Sequence, residues 1–402
     1  MNAKVAIIAA FAVAVGIVLF FSFRGSSSGG AVADPTASMS ASAGSATPPT
    51  AKGVEITFVY STEKKAWIEE ATASFAKLHP EIKVTLVGKG SIDAAQAIVD
   101  GDLKPTLYSP ADSMIMGLLA TDWATKNGSK LVTDSGEDAP STLVISPLVF
   151  VAWEDRANAL LKSLGGTLTW KGLRKAVASN QGWPSVGGKA EWGFVKLGQT
   201  DPTRSNSGLQ ALLSMTLEFY GKTSGIQVDD LLKPDYQAYV KDIERGVPKF
   251  EASTGTFMTD MIRFGPSKYD ISIVYESLAL EQIQDAQGRW GNLKIYYPRT
   301  TIWSDHPIAL LAGDWVTPAQ RDAAHLFLAH LHSKAVQQRS LSFGFRPGDP
   351  SVPIRTADAE NKFQKLAPFG VLVDLPPAAT PPDGVIARAL MTMWSRVVAP
   401  TK

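Results

Sequence analysis

The sequence predicts an α/β protein of two lobes, each a mostly parallel sheet flanked by helices, joined by two hinge crossings. Three observations carry that expectation. From Val54 onward, β-rich segments alternate with segments of helical periodicity. Roughly 350 residues follow that point, more than one α/β sheet usually organises. Two stretches, STLVISPLVFVAWE (141–154) and KIYYPRTTIWSDHPIALL (294–311), are apolar enough to carry the chain from one lobe to the other and back. On this reading residues 54–147 and 299–398 form lobe one, and 148–298 form lobe two.

The elements follow in order. MNAKVAIIAAFAVAVGIVLFFSFRG opens the chain, with nineteen uncharged residues from Val5 to Phe23 between Lys4 and Arg24. That length matches a bilayer's hydrocarbon core. Residues 1–24 therefore read as a signal anchor and single transmembrane helix, with secretion after cleavage near the Ala-Val-Ala at 31–33 as the alternative. Either way the remainder crosses the membrane, into the periplasm or extracellular space. Residues 25–53 are almost purely Ser, Ala, Gly, Thr and Pro, a composition that cannot bury a core and reads as a disordered tether.

VEITFVYS (54–61) reads as a strand running into a helix whose Trp67, Ile68, Ala71, Phe75 and Leu78 share one face, with Pro80 past its end. IKVTLVG (82–88) is a strand, SIDAAQAIVDGD (91–102) a short helix and PTLYSPAD (105–112) a strand leading to a loop. A helix follows over 112–126. Later strands are expected over 192–198, 270–277, 292–298 and 306–313. Helices are expected around 208–220, 235–245, 254–264, 318–333 and 384–398.

Composition excludes several classes. With 39 basic and 38 acidic side chains, net charge +1, there is no field to attract nucleic acid. The absence of cysteine removes disulfides, thiolate catalysis, cysteine metal sites and lipid attachment through an N-terminal cysteine. No P-loop or GxSxG turn occurs, and His79, His306, His325, His330 and His332 do not form an HExxH arrangement. No cofactor or metal site is expected. A hydrolase using Asp201 or Glu276 as general base would lack a nucleophile pattern, so binding is expected rather than catalysis. Trp153, Trp170, Trp183, Trp192, Trp290 and Trp303 read as core or lobe-packing residues.

The candidate site comes from four strand-to-helix junctions rich in hydroxyls and glycine: Ser61 and Thr62; Gly88, Gly90 and Ser91; Thr203 to Gly208; and Ser253 to Thr256. Loops beyond the carboxyl ends of strands line the ligand crevice of an open α/β sheet. A helix start offers free N–H groups and a positive dipole end, which suit an anion. Taken singly, Ser61 and Ser91 read equally as ordinary N-caps. The run Thr203, Arg204, Ser205, Asn206, Ser207 and Gly208 holds more donors than one cap requires, with an arginine among them. Tyr275 and Glu276 end DISIVYES (270–277), where a strand reaches the same crevice. Glu276 there would repel an anion, or bind an amine, a metal or a hydroxyl, unless it is paired with a basic neighbour.

YSTEKKAW, GKGSIDAAQAIVDGDLKPTLYSPAD, ISPLVFVAWE, DPTRSNSGLQALL and DISIVYES, in that order, resemble bacterial extracellular solute-binding proteins of the type II periplasmic-binding fold. The resemblance covers about 54–345. It is strongest to the molybdate- and sulfate-binding branch, some of whose relatives carry a fused von Willebrand A-type domain that is not read in this sequence. It implies two lobes closing like a hinge on a small polar ligand, an oxyanion above all, and an ABC permease as partner. It implies ligand contacts from Ser61, Ser91, the helix starts near Ser205 to Ser207 and Thr254 to Thr256, and Tyr275. Thr62, Gly90, Thr203 and Arg204 join them from the junctions themselves. Glu276 departs from the small or neutral residue expected there, and a helical anchor departs from the soluble or lipid-anchored members. The alternative is a membrane-anchored surface sensor or interaction protein that reuses the fold without transport.

Overall fold

Strand β1 (Val54–Tyr60) buries Ile56, Phe58 and Val59 completely and organises the first sheet. It pairs in parallel with β2 (Ile82–Gly88) and β3 (Leu107–Ser109). The structure, a computed structural model, describes residues 53–399 except 253, 359 and 360. The anchor expected over 1–24, and the tether expected over 25–53 apart from Gly53, lie outside the described residues. Among those described, no helix is long and apolar enough to cross a membrane.

Helix α1 (Lys65–Leu78) turns Trp67, Ile68, Ala71 and Phe75 onto the sheet, four of the five residues that the periodicity marks, while Leu78 at its end is exposed. α2 (Ser91–Asp100) and α3 (Ser113–Asn127) follow β2 and β3. Beyond the short β4 (Ser141–Thr142), β10 (Pro307–Leu310) returns late in the chain, antiparallel to both β3 and β4. The sheet order is β2-β1-β3-β10-β4.

The second sheet is built around β5 (Val144–Trp153), buried along nearly its whole length. β7 (Ile271–Tyr275) and β8 (Leu293–Tyr296) flank β5, both antiparallel, and β6 (Leu197–Gly198) adds in parallel to β7. This differs from the mostly parallel sheet expected. The strand that leaves lobe one enters the middle of the second sheet pointing against its neighbours, so the pairs at the centre are antiparallel. The start of β5 also pairs with β9 (Trp303–Ser304) and β11 (Arg346–Pro347). The two crossings thus form a hydrogen-bonded ribbon at Ser146 and Ser304.

Around the second sheet lie α4 (Glu154–Leu164), α5 (Trp170–Val177), α6 (Asn206–Tyr220), α7 (Val228–Leu232), α8 (Pro234–Glu244), α9 (Thr254–Phe264) and α10 (Glu276–Gln282). α11 (Pro318–Leu331) covers the first sheet through Ala323, Ala324, Phe327 and Leu331, with α12 (Lys334–Ser340) next to it.

The C-terminal portion packs differently from the sequence expectation, which placed 299–398 with lobe one. Phe363 of α13 (Lys362–Lys365), Leu366 and Val371 are buried with Val149 and Val151 of β5. Helix α14 (Gly384–Val397) packs on α3 of the first lobe and on α6, α7 and α8 of the second. A Cβ at Gly384 would lie 2.9 Å from the Gly117 carbonyl oxygen, so glycine permits the close crossing of α3 and α14.

Candidate functional site

A cleft of about 690 Å³ opens between the lobes. Lobe one lines it with Thr62, Glu63, Lys65, Ala66 and Glu69 after β1, and with Gly90, Ser91 and Asp93 at the start of α2. Lobe two contributes Arg204, Ser205 and Asn206 at the start of α6, Ala252, Thr254, Gly255 and Thr259 around α9, and Tyr275, Leu278, Glu281 and Gln282 from α10. A Cβ at Gly90 would sit 3.9 Å from the Arg204 carbonyl oxygen, which shows how near the two helix starts approach.

The starts of α2 and α6 carry no side-chain cap: Gly90 and Ser205 occupy the cap positions and accept only through their carbonyl oxygens, from the Ala94 and Leu209 N–H groups. Thr169, Thr317, Asn361 and Asp383 do cap helices away from the cleft. Uncapped starts also occur at Trp153, Lys233 and Ser333, so convergence on one cleft distinguishes the pair, not free amides alone. Ser91 Oγ accepts from the Ala111 N–H at 3.0 Å, which leaves its own hydrogen free to donate.

The segment 203–208 divides its labour. Thr203 donates through both N–H and hydroxyl to Asp201 Oδ1, which closes a tight turn. Arg204 is exposed in the cleft, and among the described residues no ion pair engages its guanidinium. Ser207 Oγ lies 2.8 Å from Thr200 Oγ1 and 2.6 Å from Thr254 Oγ1, so it ties the start of α6 to the start of α9. Gly208 is needed for space, since a Cβ would stand 2.4 Å from the Thr200 carbonyl oxygen. Asn206 Nδ2 donates to Asp112 Oδ2 at 2.9 Å and to the Tyr275 hydroxyl at 3.0 Å. Gln210, one turn on, donates to the same Asp112 oxygen. Lobe two therefore grips a lobe-one carboxylate behind the cleft.

Beneath it lies a buried charged cluster. Lys64 Nζ donates to the Ser109 and Pro110 carbonyl oxygens at 3.0 and 2.9 Å, and lies 3.3 Å from His306 Nδ1. Burial pulls the Lys64 ammonium down to about 7, against the attraction of Glu63, Asp305 and Asp112. The same burial, with the Lys64 charge beside it, holds His306 well below the ordinary histidine value and therefore neutral. Asp112 is pushed up to about 6 by burial and then by the Asp305 carboxylate, while its bonds from Asn206, the Ile115 N–H and Gln210 oppose the shift. His306 has φ +37°, the only non-glycine residue in the left-handed region among those described, and it sits in the second crossing.

Of the residues singled out by sequence, Thr62, Gly90, Ser91, Arg204, Ser205, Asn206, Thr254 and Tyr275 line this cleft. Four do not. Ser61 is buried beneath it, with an unpartnered Oγ. Ser207 lies below as a brace. Thr203 faces a separate groove against α14. The side chain of Thr256 is outside what the structure describes. Glu276 is the clear correction: it is fully buried, accepts from Arg346 Nε at 2.7 Å and Nη2 at 2.8 Å, and accepts from the Tyr297 hydroxyl. It turns back from the strand end into the C-terminal packing, so it neither faces an anion nor binds an amine.

Lys64, Asp112 and Gln210 were missed. Lys64 stands at the helical spacing that includes Trp67, Ile68 and Ala71, and that register marked it as buried despite the charged run around it. Gln210 lies four residues after Asn206, on the same face.

Residues 56–346 match the family of bacterial extracellular solute-binding proteins. The chain belongs to that family. Solved structures with a similar fold include the sulfate-binding protein SubI from Mycobacterium tuberculosis (17% identity, 87% of this chain and 99% of that chain, TM-score 0.51). The FutA protein of Trichodesmium in complex with iron and citrate is similar at 14% identity, over 85% of this chain and 99% of that one, with TM-score 0.55. An ABC transporter structure from Clostridium perfringens is similar at 12% identity over 85% and 99%, with TM-score 0.56. At these identities the likeness is one of fold. No match was found among curated proteins. As a solute-binding protein of this family, the chain is a two-lobed α/β binder of small molecules.

Proposed function

We propose that this solute-binding protein captures a small polar solute presenting an oxyanion, closes its lobes around it, and hands it to an ABC permease. In this reading residues 1–24 anchor it to the membrane and 25–53 let the lobes reach the permease. One observation carries the ligand class: the unpaired guanidinium of Arg204 stands beside the uncapped start of α6, opposite the uncapped start of α2. Backbone N–H groups, the Ser91, Ser205 and Thr254 hydroxyls and one cation supply donors from both lobes, so full contact requires closure.

Thermal unfolding of the protein beginning at Gly53 tests this, with inorganic phosphate, sulfate, molybdate and a set of organic phosphates as probes. A binder at about 100 times its Kd adds about 2.7 kcal/mol to stability. At least one oxyanion is expected to raise Tm, and Arg204→Gln to reduce the gain. If no oxyanion-bearing probe moves Tm, the ligand class is wrong.

A further inference from the structure

We infer that the solute is an organic anion whose body carries hydroxyl or ammonium donors, rather than a bare inorganic oxyanion. The inference rests on the oxyanion reading of the cleft and adds the chemistry of the rest of the ligand.

Size comes first. A cleft of about 690 Å³ has room for roughly twenty waters at ~30 Å³ each, whereas a tetrahedral oxyanion displaces only about two or three. The volume lies in the range of sites that enclose organic ligands of several rings or a short chain.

Charge comes second. Besides Arg204 and Lys65, the lining holds Glu63, Glu69, Asp93 and Glu281, and Lys65 is already engaged with Glu69. Carboxylates accept hydrogen bonds and cannot donate them. A fully ionised inorganic oxyanion, itself only an acceptor, would meet Arg204 and the helix starts but also repulsion from Asp93 in the first turn of α2 and from Glu63 after β1.

The third observation is independent of both. The Glu63 side chain is only 9% exposed, and its Oε1, itself buried behind the cleft wall, has no hydrogen-bond donor among the described residues. Its nearest nitrogen, on His306 at 3.5 Å, belongs to a ring that burial keeps neutral. Asn206 Oδ1, on the facing lobe, also lacks a donor. The orientation of that amide is fixed because its Nδ2 must face the Asp112 carboxylate. Both oxygens are buried just behind the cleft walls, so they add to the excess of acceptors in the lining that donors on a ligand would offset. The arrangement is bipolar: the anionic group sits at Arg204 and the start of α6, and hydroxyl or ammonium groups reach toward Glu63 and Asp93.

Isothermal titration with inorganic phosphate, sulfate, glycerol 3-phosphate, glucose 6-phosphate and O-phosphoserine decides the matter. At least one organic probe is expected to bind about tenfold or more tightly than either inorganic anion. The hydroxyl-bearing and ammonium-bearing probes separate the two kinds of donor. Glu63→Gln and Asp93→Asn are expected to erase most of that advantage and, by removing charges that repel it, to tighten inorganic phosphate binding, whereas Arg204→Gln weakens both. Inorganic anions binding as well as every organic probe, or an organic preference that survives both substitutions, would overturn the inference while leaving the oxyanion reading intact. Silence from all five probes would defeat that reading and this one with it.

Discussion

Removing Glu276 tests the assignment of that residue to packing. Its carboxylate takes both Nε and Nη2 of Arg346, whose guanidinium also reaches the carbonyl oxygens of Leu372 and Val373 and lies 4.8 Å from the Phe363 ring centre. Glu276 is fully buried and the Arg346 side chain is 5% exposed, so solvent screens the pair little. Glu276→Leu would strand a buried guanidinium, a loss of about 3–5 kcal/mol for a broken buried pair. At about 2.1 cal/mol/K of unfolding entropy per residue over roughly 350 ordered residues, that lowers Tm by ~4–7 °C. The double variant Glu276→Leu with Arg346→Met replaces the pair by apolar groups and should recover most of the loss, because neither charge is then buried alone. Urea unfolding of the four proteins in this cycle gives the coupling directly. A loss of less than about 1 kcal/mol in each single variant, the range of an exposed ion pair, would refute the argument.

Gly208→Ala would push a Cβ to 2.4 Å from the Thr200 carbonyl oxygen and 2.9 Å from Pro202 N, both backbone atoms; a loss of about 1–3 kcal/mol in thermal unfolding is expected. Asp112 has a folded value of about 6 against its ordinary 3.8, so the folded state holds that proton more tightly. Its contribution is full below about pH 4 and lost as pH rises through about 6, on the order of 3 kcal/mol. Unfolding measured from pH 4 to 7 should show this slope in the difference between the native protein and Asp112→Asn, because buried His306 and Lys64 contribute slopes of opposite sign to both. Trp394 is 3% exposed on α14 and donates to Glu244 Oε1 at 3.2 Å; Trp394→Ala should cost about 3–5 kcal/mol in urea unfolding, whereas a loss below 1 kcal/mol would mean that α14 is not part of the cooperative unit.

Local signals carried most of the element order. The strand at 82–88 and the helix at 254–264 have the bounds that periodicity and turn residues indicate, because each is framed by residues of strong local preference. The strand expected over 192–198 shrinks to Leu197–Gly198, since Gly193 at φ +68° and a short 3₁₀ turn at Ala190–Trp192 break the extended run. Helices α4, α5, α7, α10, α12 and α13 went unread. α4 follows directly on β5 with Trp153 as an uncapped start, so no polar cap announced it, and α5 has only Thr169 to mark it. The antiparallel centre of the second sheet was equally hidden, because strand direction depends on how the crossing enters and not on any residue within it.

The site divides along a different line. Polar residues and glycines at strand ends and helix starts are local features, and of the thirteen site residues expected, eight line the cleft, four do not and the Thr256 side chain is undescribed. What the chain order conceals is the distant partner that decides where a polar side chain turns. Glu276 finds Arg346 seventy residues later, and Asn206 finds Asp112 ninety-four residues earlier. Ser207 shows the consequence most sharply: two residues from Ser205 and alike in chemistry, it is claimed by Thr200 and Thr254. A helical step of about 100° per residue turns neighbours in such a run to different surroundings. A cluster of donors at a helix start therefore contains both groups that hold the start in place, as Ser207 does, and groups that no other described residue engages, such as the Arg204 guanidinium.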